Sequence, residues 1–469
     1  MKSINWKTIL ENNALIIVFV VAVVFSNFTF FDLKLGGVVL TLYRVCIPII
    51  CIYCIFVYGL HQSYIKKMHS FFTIRIYFLI MLLWIIWGCF SLFLMPWSNY
   101  TTGAKEIIGI MLGTMSVFIT ICLCLEDKFD ALIIMLKICI VILILIGYAE
   151  ILFGWHFQSS MINDPQYIKE VENYYEGQEV PASIYYIATG IFYNPNDFCA
   201  MLCIFSPVFL YRQDKSRLKA LSSYLAIASI FLILLIDDAW ICIISLIIGL
   251  LIYAFFSRAN VITYMMLFFT YFIPRYFGKK IIDVINVLLY RCTGSEVFNH
   301  SICITNVENA ISVQVENNAN ENGSMFYRLN TYREGLRATF VESKGLGLGP
   351  GGFPQYFGKI ADTHHMIANP HSLWLEILSQ YGVIVFMLFI IVLLLMVVKL
   401  IKFYKYTHDL RCILIMSMGV TLAFACFSPS NFLQNTYYWL PIGMGLGILL
   451  LDNRKVTKKN ESSISYLYK

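Results

Sequence analysis

A chain of 469 residues could fold as two or three soluble domains, but 59% of it is hydrophobic, 13% is charged and its mean hydropathy is +0.73. Those values exclude a soluble globular enzyme and leave no reason to expect a nucleic-acid partner. The net charge of +6 therefore matters through the loops that carry it.

The expected fold is all-α, a polytopic integral membrane protein. Apolar runs of about 17 to 25 residues, the length that crosses a bilayer core as helix, predict spans near 13–31, 37–60, 76–95, 107–125, 132–153, 188–211, 221–237, 239–257, 260–275, 382–401, 412–428 and 436–451. That makes about twelve crossings. The short run at 260–275 and the tight junction at Asp237 decide the sidedness of every later loop. Lys2, Lys7, HQSYIKKMHS, RQDKSRLK, Arg258, KLIKFYKYTHDLR and NRKVTKK fall on one side, and together they hold 17 of the 34 Lys and Arg. By the positive-inside rule that side is cytoplasmic, as are both termini. Lys2 and Lys7 before an apolar run also suit a signal peptide, but SNFTFFDLKL lacks a small-residue cleavage pattern, so the first run is read as an anchor.

The resulting domain plan has nine spans in 1–275 with an external loop at 154–187, a large extracytoplasmic loop at 276–381, three spans in 382–451 and a cytoplasmic tail at 452–469. The 154–187 loop is rich in acid and tyrosine, which suits sugar contacts and equally suits a solvated loop. Within 276–381 lies KGLGLGPGGF, residues 344–353. It lacks the GxxxxGK of a P-loop and the preceding strand of a dinucleotide fingerprint. Two readings stand: Gly347, Gly349 and Gly351 make tight turns where φ is positive, or they approach a phosphate, which outside the membrane belongs to a lipid-linked substrate.

Upstream, SMFYRLNTYREGLRATF spaces Arg328, Arg333 and Arg337 five and four apart. As a helix it sets Arg333 and Arg337 on one face and turns Arg328 by about 140° from Arg333. Downstream, NPHSLWLEILSQYG places His371 ahead of an interfacial helix that leads into the tenth span.

In order, Arg328 with Tyr332 four residues on, GLGLGPGGF and NPHSLWLEILSQYG resemble the shared region of the O-antigen ligase and polymerase family, which includes capsule and teichuronic acid polymerases. IATGIFYNPNDFCAMLCIFSP at 187–207, which contains Asn196, is similar to the segment opening a middle span of such proteins. The resemblance implies a metal-independent, GT-C-like glycosyltransferase with no cofactor. It would take a saccharide from an undecaprenyl pyrophosphate carrier and join it to a glycan acceptor outside the cytoplasmic membrane. A flippase and a chain-length regulator are the accompanying partners it suggests.

Under that resemblance Arg328 meets the developing charge of the pyrophosphate, supported by Arg333, Arg337, Arg44 and the three loop glycines. His371 acts as general base or orients the acceptor hydroxyl. Asp237, Asp238, Tyr332 and Asn196 are the candidate acceptor contacts. One departure stands out, because the family carries a basic residue where this chain reads LLIDDAWICII. Either the aspartates work on acceptor or arginine, or they are solvated at a helix end. Polymerase, ligase and a transporter of lipid-linked sugar remain alternatives, although the chain shows no matched halves and concentrates its polar residues in one late loop. Cys292 and Cys303 share that loop, which leaves a disulfide open.

Overall fold

The computed structural model describes residues 6–26, 34–35, 38–39, 41–59, 72–174, 185–211, 217–293, 324–364, 370–429, 433 and 435–451. Apart from one two-residue antiparallel ladder, Lys34–Leu35 with Val38–Val39, the described elements are helical. In chain order they are α1 (Trp6–Val24), α2 (Leu42–Cys54, continued by a π turn at Ile55–Gly59), α3 (Phe72–Leu94), α4 (Tyr100–Leu125), α5 (Phe129–Phe153) and α6 (Pro165–Tyr174). They continue as α7 (Pro195–Phe205), α8 (Arg217–Ile236), α9 (Trp240–Phe256), α10 (Val261–Thr293) and α11 (Ser324–Arg337, continued by a π turn at Ala338–Glu342). The last are α12 (Gly352–His364), α13 (Leu373–Thr407), α14 (Leu410–Ala425) and α15 (Trp439–Leu451).

Among the described residues, four helices (α3, α4, α5 and α13) are long and apolar enough to cross a membrane, and seven shorter apolar helices pack with them. The outward faces of α3, α5 and α13 expose side chains such as Leu79, Phe90, Leu145 and Ile384. The centre, by contrast, buries the large rings of Trp84, Trp439, Tyr43, Tyr77 and Tyr381. An apolar exterior over a packed interior is the pattern of a bundle solvated by lipid.

Sequence-coded caps fix several helix starts. Asn99 accepts from the Thr101 and Thr102 amides at 3.0 Å, and Asp409 caps α14. Asn194 caps α7 with Pro195 in the first turn, where a missing N–H costs nothing. The apolar run at 188–211 is therefore helical only from Pro195. The run at 260–275 extends the other way: α10 continues through Pro274 to Thr293, past the boundary expected at residue 275.

The connections gather at two opposite ends of the bundle. At one, Arg411 pairs with Asp409 at 2.6 Å and approaches Asp127 at 4.0 Å, Tyr211 Oη donates to Asp130, and Tyr404 Oη donates to the Phe256 carbonyl. At the other, the Asn99 amide donates to Pro350, Ala188 to Asp237, and Leu373 to the Cys426 carbonyl. α4 joins the two, with Asn99 at its start and Asp127 just past its end. The glycine loop and the polar sequence motifs lie at the second end.

Candidate active site

α11 is docked on the first turns of α13. Gly335 permits the contact, since a Cβ there would stand 2.9 Å from the Leu375 side chain. Thr331 and Ala338 are buried in the same seam, and Tyr332 Oη donates to the His371 carbonyl at 3.2 Å. Because Tyr332 stands four residues after Arg328, both side chains fall on the face of α11 turned toward His371.

His371 itself is held in the left-handed region at φ 46, just before Ser372, whose Oγ caps α13. Its Nδ1 lies 3.4 Å from the Ser428 carbonyl. A carbonyl only accepts, so Nδ1 carries the proton and Nε2 keeps its lone pair. Burial, with the Arg328 guanidinium nearby, pushes the imidazole down to about 4, so the ring is neutral at physiological pH. Ser428 Oγ in turn donates to Asn196 Oδ1 at 3.0 Å. Beside it, Asp197 Oδ1 accepts from Asn435 Nδ2 at 3.3 Å. Four segments remote in sequence thus meet: Arg328 and Tyr332, His371, Ser428, and Asn196. Among the described residues, Arg328 Nε is a buried donor with no acceptor.

Arg333 and Arg337 do not join this cluster. Arg333 is exposed, and Arg337 pairs with Glu334 at 3.6 Å on the side of α11 away from His371. Arg44 is half-buried in the first turn of α2, beside Tyr43, whose hydroxyl meets Ser116 Oγ at 2.9 Å.

The glycine loop is a packed turn, and its donors are already spent. Gly345, Gly347, Gly349 and Gly351 have φ of 85, 91, 88 and 66. The Gly347 amide donates to Ser343 Oγ at 3.1 Å, Gly349 to the Gln380 carbonyl at 2.9 Å, and Gly351 to Glu106 Oε2 at 3.0 Å. Side chains are excluded as well. A Cβ on Gly347 would meet the Gln380 carbonyl at 2.5 Å, and one on Gly351 the Gly103 amide at 2.8 Å. Of the two sequence readings, the geometry fits the tight turn, because the amides a phosphate would need point into protein acceptors.

Asp237 likewise faces inward instead of standing solvated at a helix end. It accepts from the Ala188 amide at 2.8 Å and from Cys199 Sγ at 3.4 Å. Asp238 follows at φ 52, half-buried. The Arg275 guanidinium of α10 stacks 5.9 Å from the Trp240 ring, which brings a cation to the junction where the sequence itself offers only Asp237 and Asp238.

Three polar anchors were not legible as such from the sequence. Ser428 bridges His371 and Asn196, yet in FSPSN it reads as an ordinary turn. Glu106, at the edge of an apolar run, is buried and also receives Gln380 Nε2 and Tyr381 Oη at 3.4 Å. Glu150 collects the Thr189 and Gly190 amides, Thr189 Oγ1 and His156 Nδ1, and so pins the segment leading to Asn196. The sequence signal for Glu150 was a lone carboxylate in an apolar run, whereas Glu106 follows Lys105 at the edge of one. Among the described residues no group of His, Cys, Asp or Glu is placed to hold a metal ion. Cys303 lies outside the described residues.

No family model matches the chain. The teichuronic acid biosynthesis protein TuaE of Bacillus subtilis (strain 168) is 23% identical over 445 residues, which span 91% of this chain and 82% of that protein.

Proposed function

We propose that this protein is a membrane glycosyltransferase of cell-surface polysaccharide biosynthesis, which extends a glycan carried on a polyprenyl diphosphate at the outer side of the cytoplasmic membrane. The observation that carries the reading is the convergence of Arg328, Tyr332, His371, Ser428 and Asn196 at one end of an apolar bundle, with a buried guanidinium donor unspent. The likeness to a teichuronic acid biosynthesis protein over most of both chains supports the same polymer class. Arg258, Lys402, Lys405 and Arg411 lie at the opposite end, which supports an extracytoplasmic site by the positive-inside rule.

In this reaction the acceptor hydroxyl oxygen bonds to the anomeric carbon of the donor sugar as the carbon–oxygen bond to diphosphate breaks. The bonding pair leaves with the diphosphate, and Arg328 meets its charge through a planar set of donors. The hydroxyl proton passes to His371 Nε2, whose tautomer Ser428 sets. A base held near 4 is weak, so it takes the proton only as the new bond forms. Asn196 and Tyr332 stand where they can orient the acceptor.

The test is reconstitution of the full chain in vesicles with a polyprenyl-diphosphate-linked oligosaccharide. Growth of the carrier-linked chain supports a polymerase, and transfer of the glycan to a different added acceptor shows a ligase. Passage of the intact carrier-linked glycan across the bilayer with no new glycosidic bond refutes the enzyme reading in favour of a transporter.

A further inference from the structure

Beside the face of α11 that meets His371, turned about 40° to 80° from Tyr332 around the helix, runs a stripe that is apolar and, among the described residues, uncovered. Leu329, Leu336 and Phe340 recur at spacings of seven and four, which stacks them in one stripe along the helix and its π turn. Each is between 45% and 58% exposed. Val341 and Leu346 extend the stripe past the end of the helix, also exposed. In a water-facing loop this would be an unusual amount of contiguous hydrocarbon.

The stripe does not stop at the loop. The Gly345 carbonyl accepts from the Val383 amide at 2.9 Å, which ties Leu346 beside the start of the long apolar stretch of α13. There Ile384, Met387, Ile391 and Leu394 are exposed in turn along a candidate membrane span. The exposed side of α11 is thus continuous with a lipid-facing surface. Arg333 lies near the stripe, about 40° from Leu329 around the helix, and Arg337 flanks it at about 80°. Both arginines are exposed. Long cationic side chains over an apolar stripe suit the boundary between acyl chains and anionic headgroups.

We infer that α11 is an interfacial helix, with Leu329, Leu336 and Phe340 seated among the acyl chains of the membrane and Arg333 and Arg337 at its phosphate headgroups. The arginines that stand apart from His371 thereby acquire a role. They hold α11 at headgroup depth, and through Gly335 and Tyr332 that depth is passed to Arg328 and His371. A consequence, which rests on the proposed reaction, is that a lipid-linked diphosphate reaches Arg328 sideways from the leaflet, its own phosphates already at the right height.

The experiment places an environment-sensitive fluorescent amino acid at Leu336 or Phe340 of the full-length protein, in vesicles of phosphatidylcholine and phosphatidylglycerol. The expected result is quenching by lipids brominated on the acyl chain, to about half or more of that seen with the same probe at Ile384, and little quenching by aqueous iodide. Arg333→Glu with Arg337→Glu should reduce the bromolipid quenching. Iodide quenching as strong as at Lys169, an exposed position on α6, would overturn the inference. So would shielding from both quenchers, which would mean that residues 294–323 or a second copy of the chain covers the face. No glycan enters the measurement, so its outcome is separate from that of the proposed reaction.

Discussion

The glycine loop and the arginine–histidine cluster both pack against the start of α13, and they spend their polar groups in opposite ways. In the loop the donors of Gly345, Gly347, Gly349, Gly351 and Gly352 are all satisfied by protein acceptors. In the cluster Arg328 Nε is buried without an acceptor and His371 engages only Nδ1 among the described residues. An orphaned buried donor is costly, whereas a satisfied one is inert toward ligands. The comparison teaches that the loop is scaffold, and that the groups left open to a ligand, on which the proposed reaction rests, are those of the cluster.

The comparison is broken most sharply by removing the unspent groups. Arg328→Ala and His371→Ala should each lower glycan elongation by about a hundredfold or more, with the melting temperature of the detergent-solubilised protein nearly unchanged. Near-normal chain growth in both would refute the site. Gly351→Ala should do the reverse. It forces a side chain onto positive φ and against the Gly103 backbone, so stability should fall by about 1–3 kcal/mol and activity should fall with it. Lost activity at an unchanged melting temperature would instead return the loop to the list of phosphate ligands.

Glu106→Ala should cost about 1–3 kcal/mol by stranding the Gly351 amide, while Glu106→Gln, which keeps an acceptor, should cost less. Equal losses, read by thermal melting, would mean that the carboxylate charge matters in itself. The pH profile gives a finer test. Because the imidazole is held down to about 4 from its ordinary 6.5, His371 stays neutral as pH falls through 6, and the acid limb of the rate should lie near 4. Arg328→Gln removes one of the causes of that depression, so the limb of its residual activity should move upward. Smallest of all, Arg333→Ala and Asp238→Asn should change elongation by about threefold or less, since neither joins the cluster described above.

Much of this was legible in the sequence, for identifiable reasons. Apolar run length located α3, α4, α5 and α13, because lipid permits few other solutions. The four-residue spacing of Arg328 and Tyr332 already implied a shared face, and helical geometry turned Arg333 away from Arg328. Burial was what the one-dimensional pattern could not show. KGLGLGPGGF reads alike as a cradle or a plug until its acceptors are known, and these are Ser343, Gln380 and Glu106. Asp237 resembles a solvated terminus until the Ala188 amide is found against it. Ser428 carries no sequence signal, since its role consists of two hydrogen bonds to residues 57 and 232 positions away.

That residue has a mechanical consequence. Ser428 grips Asn196 with its hydroxyl and His371 with its carbonyl, so two arms of the site turn on one pivot at the tip of α14. In the proposed reaction, a sugar that pulled on Asn196 would also tug the imidazole, so that its arrival would be felt at His371 before any bond changes. Such a pivot would synchronise arrival with readiness, an economy suited to the repeated step of the proposed reaction.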